Sequence, residues 1–233
     1  MNFKEIIEEK VLPFASGLST NQYLSAIRDG LVVAMPIMIV SSFLLIFAEF
    51  PNAWFQTTMT GAFGENWRWF SDVGVTSTIG LVALITVYNV SSNLARSKEV
   101  DPVLAGVIGL SAYFLLLVQV ETGGFSPRDF GARGLFTAII TAIISTEVFA
   151  WAIKKNFKIT MPEGVPPAIA KSFEALIPSA IIIPLFLVIR YVITMTPWHS
   201  ANALIFNFLQ LPLMGLSDTY LGKIGRASCR ERV

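Results

Sequence analysis

Histidine occurs once in this chain, at His199, and cysteine once, at Cys229. One of each leaves no disulfide to form and no Cys/His set to hold a metal ion. Charge is scarce as well: Asp, Glu, Lys and Arg make up 14% of 233 residues, and the net charge is +1. No run of Lys and Arg offers a nucleic-acid phosphate backbone a partner. A Gly-rich phosphate loop and a nucleophile–base pair are missing too, so the residues call for no metal and no cofactor.

What the chain has is length of apolar sequence. It is 54% hydrophobic with a mean hydropathy of +0.63, and apolar runs recur at about 20 residues, the length a helix needs to cross a bilayer. The expected fold class is all-α: a polytopic membrane protein of about five transmembrane helices with interfacial amphipathic helices. Residues 1–26 carry Phe3, Ile6, Ile7, Val11 and Leu12 on one helical face and charge on the other, which predicts a helix lying along the interface. Spans are expected near 27–50, 73–95, 102–120, 134–153 and 175–197, making 27–197 one membrane domain. Pro36 falls inside the first and is tolerated if neighbouring groups satisfy the freed carbonyl. Residues 51–74 read as a polar loop in which Trp54, Trp67 and Trp69 fit an interfacial belt. Residues 198–222 read as a second interfacial helix.

Loop charge gives an orientation. Lys4, Lys10, Arg28, Arg96, Lys98, Lys154, Lys155, Lys158 and Lys171 fall on the N-terminal side, against Arg68, Arg128 and Arg133 opposite. The asymmetry predicts a cytoplasmic N-terminus. The tail 223–233, KIGRASCRERV, resembles nothing upstream. Back-translated from Ile224, it can be written ATC GGA AGA GCG TCG TGT AGG GAA AGA GTG, a string that looks like sequencing-adapter read-through. It is therefore set aside from the fold. Without residues 224–233, 14 basic and 15 acidic groups remain, and the chain is expected to be the front part of a longer protein.

Polar groups inside spans are costly and ask for a reason. Asn89, Asn93 and Arg96 form one stripe at the end of the second span, where amides and a guanidinium could meet sugar hydroxyls. Hydrogen bonding between helices, with Arg96 snorkelling to the interface, explains the same stripe. Glu147 is expected to pair with Lys154 or another span, and Arg190 with a carboxylate or a headgroup. His199 reads as interfacial. Small residues repeat every four positions at Ala105 and Gly109, at Thr137, Thr141 and Ser145, and at Ala138, Ala142 and Thr146. This spacing predicts close helix approach within the chain or between two copies, so leucine at Gly109 or Thr141 is expected to weaken self-association.

The segment MPEGVPPAIAKSFEALIP, Met161 to Pro178, puts Pro162 at a helix start and Ile169, Phe173 and Leu176 on a short helix leading into the fifth span. It resembles the matching stretch of the membrane subunit, EIIC, of bacterial phosphotransferase systems, in the lactose/cellobiose family. LPFA near the start, AIRDG before the first span and the VDP-x-LAG run before the third agree in order. The resemblance covers residues 1–222 and implies the N-terminal half of a homodimeric sugar permease. It implies a disaccharide substrate such as cellobiose or lactose, soluble IIB (phosphocysteine) and IIA partners, and the bacterial cell membrane. It also implies that the catalytic groups lie in the other half, so no residue here is assigned a catalytic role. An ion-coupled secondary transporter using Glu147 and Arg190, and a non-transporting assembly subunit, are the competing readings.

Overall fold

The computed structural model describes residues 21–118, 123–162, 164–198 and 200–208, and every regular element among them is helical. Helix α1 (Gln22–Val32) starts where the Asn21 side chain accepts the Tyr23 N–H at 2.9 Å, and α2 (Met35–Ala48) follows after a 40° bend. Pro36 causes the break: it lacks an N–H, and its ring collides with the carbonyl four residues back. The expected first span is thus two helices, with Pro36 in the first turn of the second.

A helix, α3 (Ala53–Phe63), occupies the stretch read as a polar loop. Asn52 caps it by accepting the Trp54 N–H at 2.9 Å, and Gly64 ends it at φ 85°, where a side chain would be strained. Helices α4 (Trp69–Thr76) and α5 (Val82–Ser97) are joined by a 3-10 turn and run as one apolar stretch of 29 residues. Asp101 and Pro102 start α6 (Pro102–Leu117): the carboxylate caps the Val103 and Leu104 N–H groups, and proline's missing donor costs nothing in a first turn. After two 3-10 turns come α7 (Leu135–Lys154), α8 (Pro167–Glu174), α9 (Leu176–Thr194) and a helical segment at 201–208. Pro162 does not start a helix; α8 begins at Pro167.

The pairwise contacts fix the directions. Along α1–α2 against α4–α5, Tyr23 meets Lys98, Gly30 meets Val90, Ser41 bonds Thr78, Leu44 meets Gly74 and Glu49 meets Arg68. Residue number rises on one side as it falls on the other, so this pair is one long antiparallel hairpin that persists through the bend. Helix α5 runs parallel to α7, with contacts from Ala83–Phe130 at one end to Lys98–Glu147 at the other. Helix α6 runs parallel to α8–α9, from Asp101–Lys171 to Val118–Arg190. The chain therefore passes up and down. Tyr23, Lys98, Asp101, Glu147 and Lys171 share one end; Glu49, Arg68, Val118, Phe130 and Arg190 share the other.

Two apolar cores hold the bundle. Val87, Val90, Tyr113, Leu117, Ala138 and Ala142 bind α5, α6 and α7. Ile108, Leu116, Phe149, Ile182 and Phe186 bind α6 and α7 to α9. Among the described residues, three helical stretches are long and apolar enough to cross a membrane, and the α1–α2 pair makes a fourth when counted as one. Helix α6, at 16 residues, reaches about 24 Å at 1.5 Å per residue, short of a bilayer core of roughly 30 Å.

Residues 1–20, His199 and 209–233 lie outside the described residues. The expectations for most of the first interfacial helix, for the tail and for His199 fall there.

Candidate functional site

The polar stripe on α5 is arranged locally. Asn89 donates its amide to the Ile85 carbonyl, one turn back on its own helix, at 2.8 Å. Arg96 donates to the Asn93 side chain at 2.8 Å and is exposed. Asn93 and Arg96 are therefore brought together, while Asn89 is spent on its own backbone.

The small-residue faces point inward. Ala105 and Gly109 on α6, and Thr137, Thr141 and Ser145 on α7, are all buried inside this one chain, as are Ala138, Ala142 and Thr146. A Cβ built on Gly109 would strike the Ser91 side chain and come within 3.2 Å of Ser145 Oγ, so α5, α6 and α7 meet at this glycine. Gly106 is as tight: a Cβ there would lie 2.6 Å from both the Tyr88 ring and Ser92 Oγ. Of the two arrangements the spacing allows, Gly109 and Thr141 pack within the protomer, so leucine at either would act on the protomer itself. The Ser91, Thr86, Thr137, Thr141 and Thr146 hydroxyls have no hydrogen-bond partner among the described residues, so polar atoms line the packed interior.

The charged residues gather at the end that holds the α5–α6 turn. Glu147 pairs with Lys98 at 2.7 Å, across helices, and not with Lys154. Lys98 also lies 5.3 Å from the Tyr23 ring centre, so one ammonium joins α1, α5 and α7. The hydrogen bond with Glu147 raises the Lys98 pKa against the opposing effect of burial. Asp101 meets Lys171 at 2.9 Å, and Lys158 meets Glu174 at 3.6 Å. Burial alone would raise the Asp101 pKa; the Lys171 ammonium and the Leu104 and Val103 N–H groups outweigh it and hold the carboxyl below its usual range. A cleft of about 410 Å³ opens among these groups, lined by Glu99, Asp101, Lys158, Lys171, Glu174 and Phe149.

Two left-handed residues shape this end. Glu99 and Asn156 both sit at φ 60°, each just past a helix. Val100 N–H bonds the Ala95 carbonyl at 3.0 Å and Phe157 N–H the Ala152 carbonyl at 2.9 Å, the six-to-one closure of a Schellman cap. Asparagine tolerates that conformation; glutamate is strained in it.

Arg190 is anchored to the backbone of another element. It donates to the Val118 carbonyl at 2.6 Å, just past the end of the short helix α6. Sequence reasoning missed this bond, because a carbonyl partner 72 positions away carries no side-chain signal. It also passed over Asp101, although an Asp-Pro pair opening an apolar run marks a helix start. Among the described residues, no group of three or more His, Cys, Asp or Glu is placed to hold a metal.

An apolar up-and-down helical bundle, closed at one end by ion pairs, is the architecture of a polytopic membrane protein. The family model "Phosphotransferase system, EIIC" matches residues 28–225, and the chain belongs to that family of bacterial membrane proteins. It is 35% identical over 235 residues to the cellobiose-specific EIIC component of Geobacillus stearothermophilus, covering 95% of this chain and 52% of that protein. It is 34% identical to the putative permease IIC component YwbA of Bacillus subtilis, over 95% of this chain and 53% of that one. Among solved structures it resembles the transporter ChbC, the IIC component of the N,N'-diacetylchitobiose-specific phosphotransferase system. That match has a TM-score of 0.85 and 32% identity, and covers 94% of this chain and 54% of that one. The chain spans about half the length of these relatives.

Proposed function

We propose that this chain is the N-terminal scaffold of a phosphorylation-coupled permease importing a β-linked disaccharide such as cellobiose or lactose. The observation that carries the reading is the fold-wide match to ChbC at TM-score 0.85 over 94% of the chain. The relatives' names support the choice of sugar: the cellobiose-specific EIIC component of Geobacillus stearothermophilus is 35% identical to it and the lichenan permease IIC component of Bacillus subtilis 33%.

In this reading the chain crosses the bacterial membrane five times, as α1–α2, α4–α5, α6, α7 and α8–α9, with its N-terminus in the cytoplasm. It forms a homodimer and works with soluble IIA and IIB proteins, the IIB phosphocysteine meeting sugar held by the other half. Residues 224–233 contribute nothing to folding. The Asn93–Arg96 pair and Asn89 then serve the scaffold rather than the sugar path. Helices α1–α2 and α9 bear exposed Val40, Phe43, Ile46, Val188 and Tyr191, which suits lipid or a second protomer. An ion-coupled carrier fits the geometry less well. Glu147 and Arg190 lie at opposite ends of the bundle, the first paired with Lys98 and the second bonded to the Val118 carbonyl.

The test is a phosphorylation assay in membranes with phosphorylated IIB supplied. Residues 1–222 alone are expected to leave cellobiose and lactose unmodified. Co-expression with the C-terminal half of the cellobiose relative is expected to restore sugar phosphate. Turnover by residues 1–222 alone would refute the division of labour, and ion-driven uptake without phosphate would refute the permease class.

A further inference from the structure

The end of the bundle away from the Lys98–Glu147 pair carries a second built feature that the scaffold role leaves unused. Arg68 is held on three sides there. It donates to Gln56 at 3.0 Å, pairs with Glu49 at 3.6 Å and lies 5.8 Å from the Trp67 ring centre. Gln56 is fixed in turn by donating to the Phe50 and Ala48 carbonyls at 3.0 and 3.2 Å. Trp67 is enclosed by edge contacts with Phe47 and Phe55 at 5.9 and 6.0 Å. The turn between α3 and α4 is thereby pinned to the end of α2.

On the other side of Arg68 the arrangement reverses. Trp69 is 67% exposed, and a depression of about 440 Å³ beside it is lined by Glu65, Asn66, Arg68, Trp69 and Asp72. That size lies within the roughly 300–1,000 Å³ of ordinary small-molecule clefts. The side chains of Glu65, Asn66 and Asp72 have no hydrogen bond or ion pair among the described residues. An interfacial-belt indole needs hydrocarbon around its ring. Trp54, 74% exposed on α3 and outside this depression, can have that. Trp69 instead borders two carboxylates, which are costly in hydrocarbon and repel anionic headgroups.

We propose that this depression is a sugar-capture site, with the Trp69 indole stacking on the apolar face of a β-linked pyranose. The Glu65, Asn66 and Asp72 side chains accept hydrogen bonds from its hydroxyls, and the pinned Arg68 supplies donors. The ligand class is a neutral disaccharide, an identity that rests on the proposed permease function. A metal cation would use the Glu65 and Asp72 carboxylates and the Asn66 carbonyl but not the indole, and it would lie against the Arg68 guanidinium that lines the same depression. Placed opposite the charged end, the site would hold sugar on the side from which import begins. The pinned turn keeps the platform rigid, so little ordering entropy opposes binding.

Saturation-transfer NMR on the purified chain in nanodiscs tests this, with cellobiose, lactose, sucrose and choline as probes. Transfer to cellobiose or lactose is expected at millimolar concentration. It should fall about tenfold in Trp69→Ala, one stacked ring being worth roughly that factor, and stay unchanged in Trp54→Ala. Glu65→Gln with Asp72→Asn leaves the ring in place and should also weaken it, which decides the matter should Trp69→Ala fold poorly. No transfer to either disaccharide, equal transfer in both tryptophan variants, or transfer to choline alone would overturn the site. Phosphorylation is a separate readout: restored turnover with no sugar at Trp69 removes only this site, and sugar at Trp69 without restored turnover removes only the permease reading.

Discussion

Asp101 does two jobs that substitution can separate. Its carboxylate caps α6 and also faces Lys171. Asparagine keeps the cap and drops the charge, so Asp101→Asn should cost less than about 1 kcal/mol, the usual worth of a partly exposed ion pair. Asp101→Ala loses the cap as well, about 1 kcal/mol more. The acid limb gives an independent check. A carboxyl with its folded pKa lowered contributes stability that is full above the unfolded value, near 3.9, and lost as pH falls through the folded value. Thermal melts in detergent from pH 6 downward should therefore show wild type and Asp101→Asn converging at the acid end. Equal melting of the Asn and Ala variants would show that the cap contributes nothing.

Among the elements, the short helix α6 is the most dependent on its neighbours. Its last carbonyls need partners, and Arg190 of α9 supplies one at Val118. Arg190→Met leaves that carbonyl without the donor and should lower stability by about 1–3 kcal/mol, read as a lower melting temperature; an unchanged melt would remove Arg190 from this role. At the middle of α6, Gly109→Leu has nowhere to put its side chain between Ser91 and Ser145. Overpacking costs typically 1–3 kcal/mol, so aggregated or unfolded protein is expected on size-exclusion. Val107→Leu, on the exposed face of the same helix, should behave as wild type. A folded Gly109→Leu protomer that merely fails to dimerise would restore the two-copy reading. These two positions also mark what sequence could reveal. The apolar runs and the four-residue spacing of Thr137, Thr141 and Ser145 were legible, because both follow from helix period and bilayer thickness. The partner of Arg190 and the inward aim of Gly109 were not, since each depends on which helix lies alongside. Helix α3 was legible in principle: Asn52 and Gly64 bracket it with a cap at each end. The polar and aromatic mix between them hid it.

For the whole molecule, the alternation of direction turns a count of loop charges into a geometric statement. Arg96, Lys98, Lys154, Lys155, Lys158 and Lys171 belong to the end where Tyr23 meets Lys98, and Arg68, Arg128 and Arg133 to the end where Ala83 meets Phe130. The segregation comes from the fold; which end faces the cytoplasm comes from the positive-inside rule. Labelling with a membrane-impermeant maleimide tests that second step. The single native thiol is first removed as Cys229→Ser, so each introduced cysteine reports alone. In intact cells Arg128→Cys, in the turn between α6 and α7, should label. Lys155→Cys, just past the end of α7, should be protected and should label once the membrane is permeabilised. Both residues are exposed in the folded chain, so protection of either reflects the bilayer rather than burial. The reverse pattern would invert the protein. It would put the Asp101–Lys171 and Lys158–Glu174 pairs outside the cell and the Trp69 depression inside, on the wrong side to meet incoming sugar.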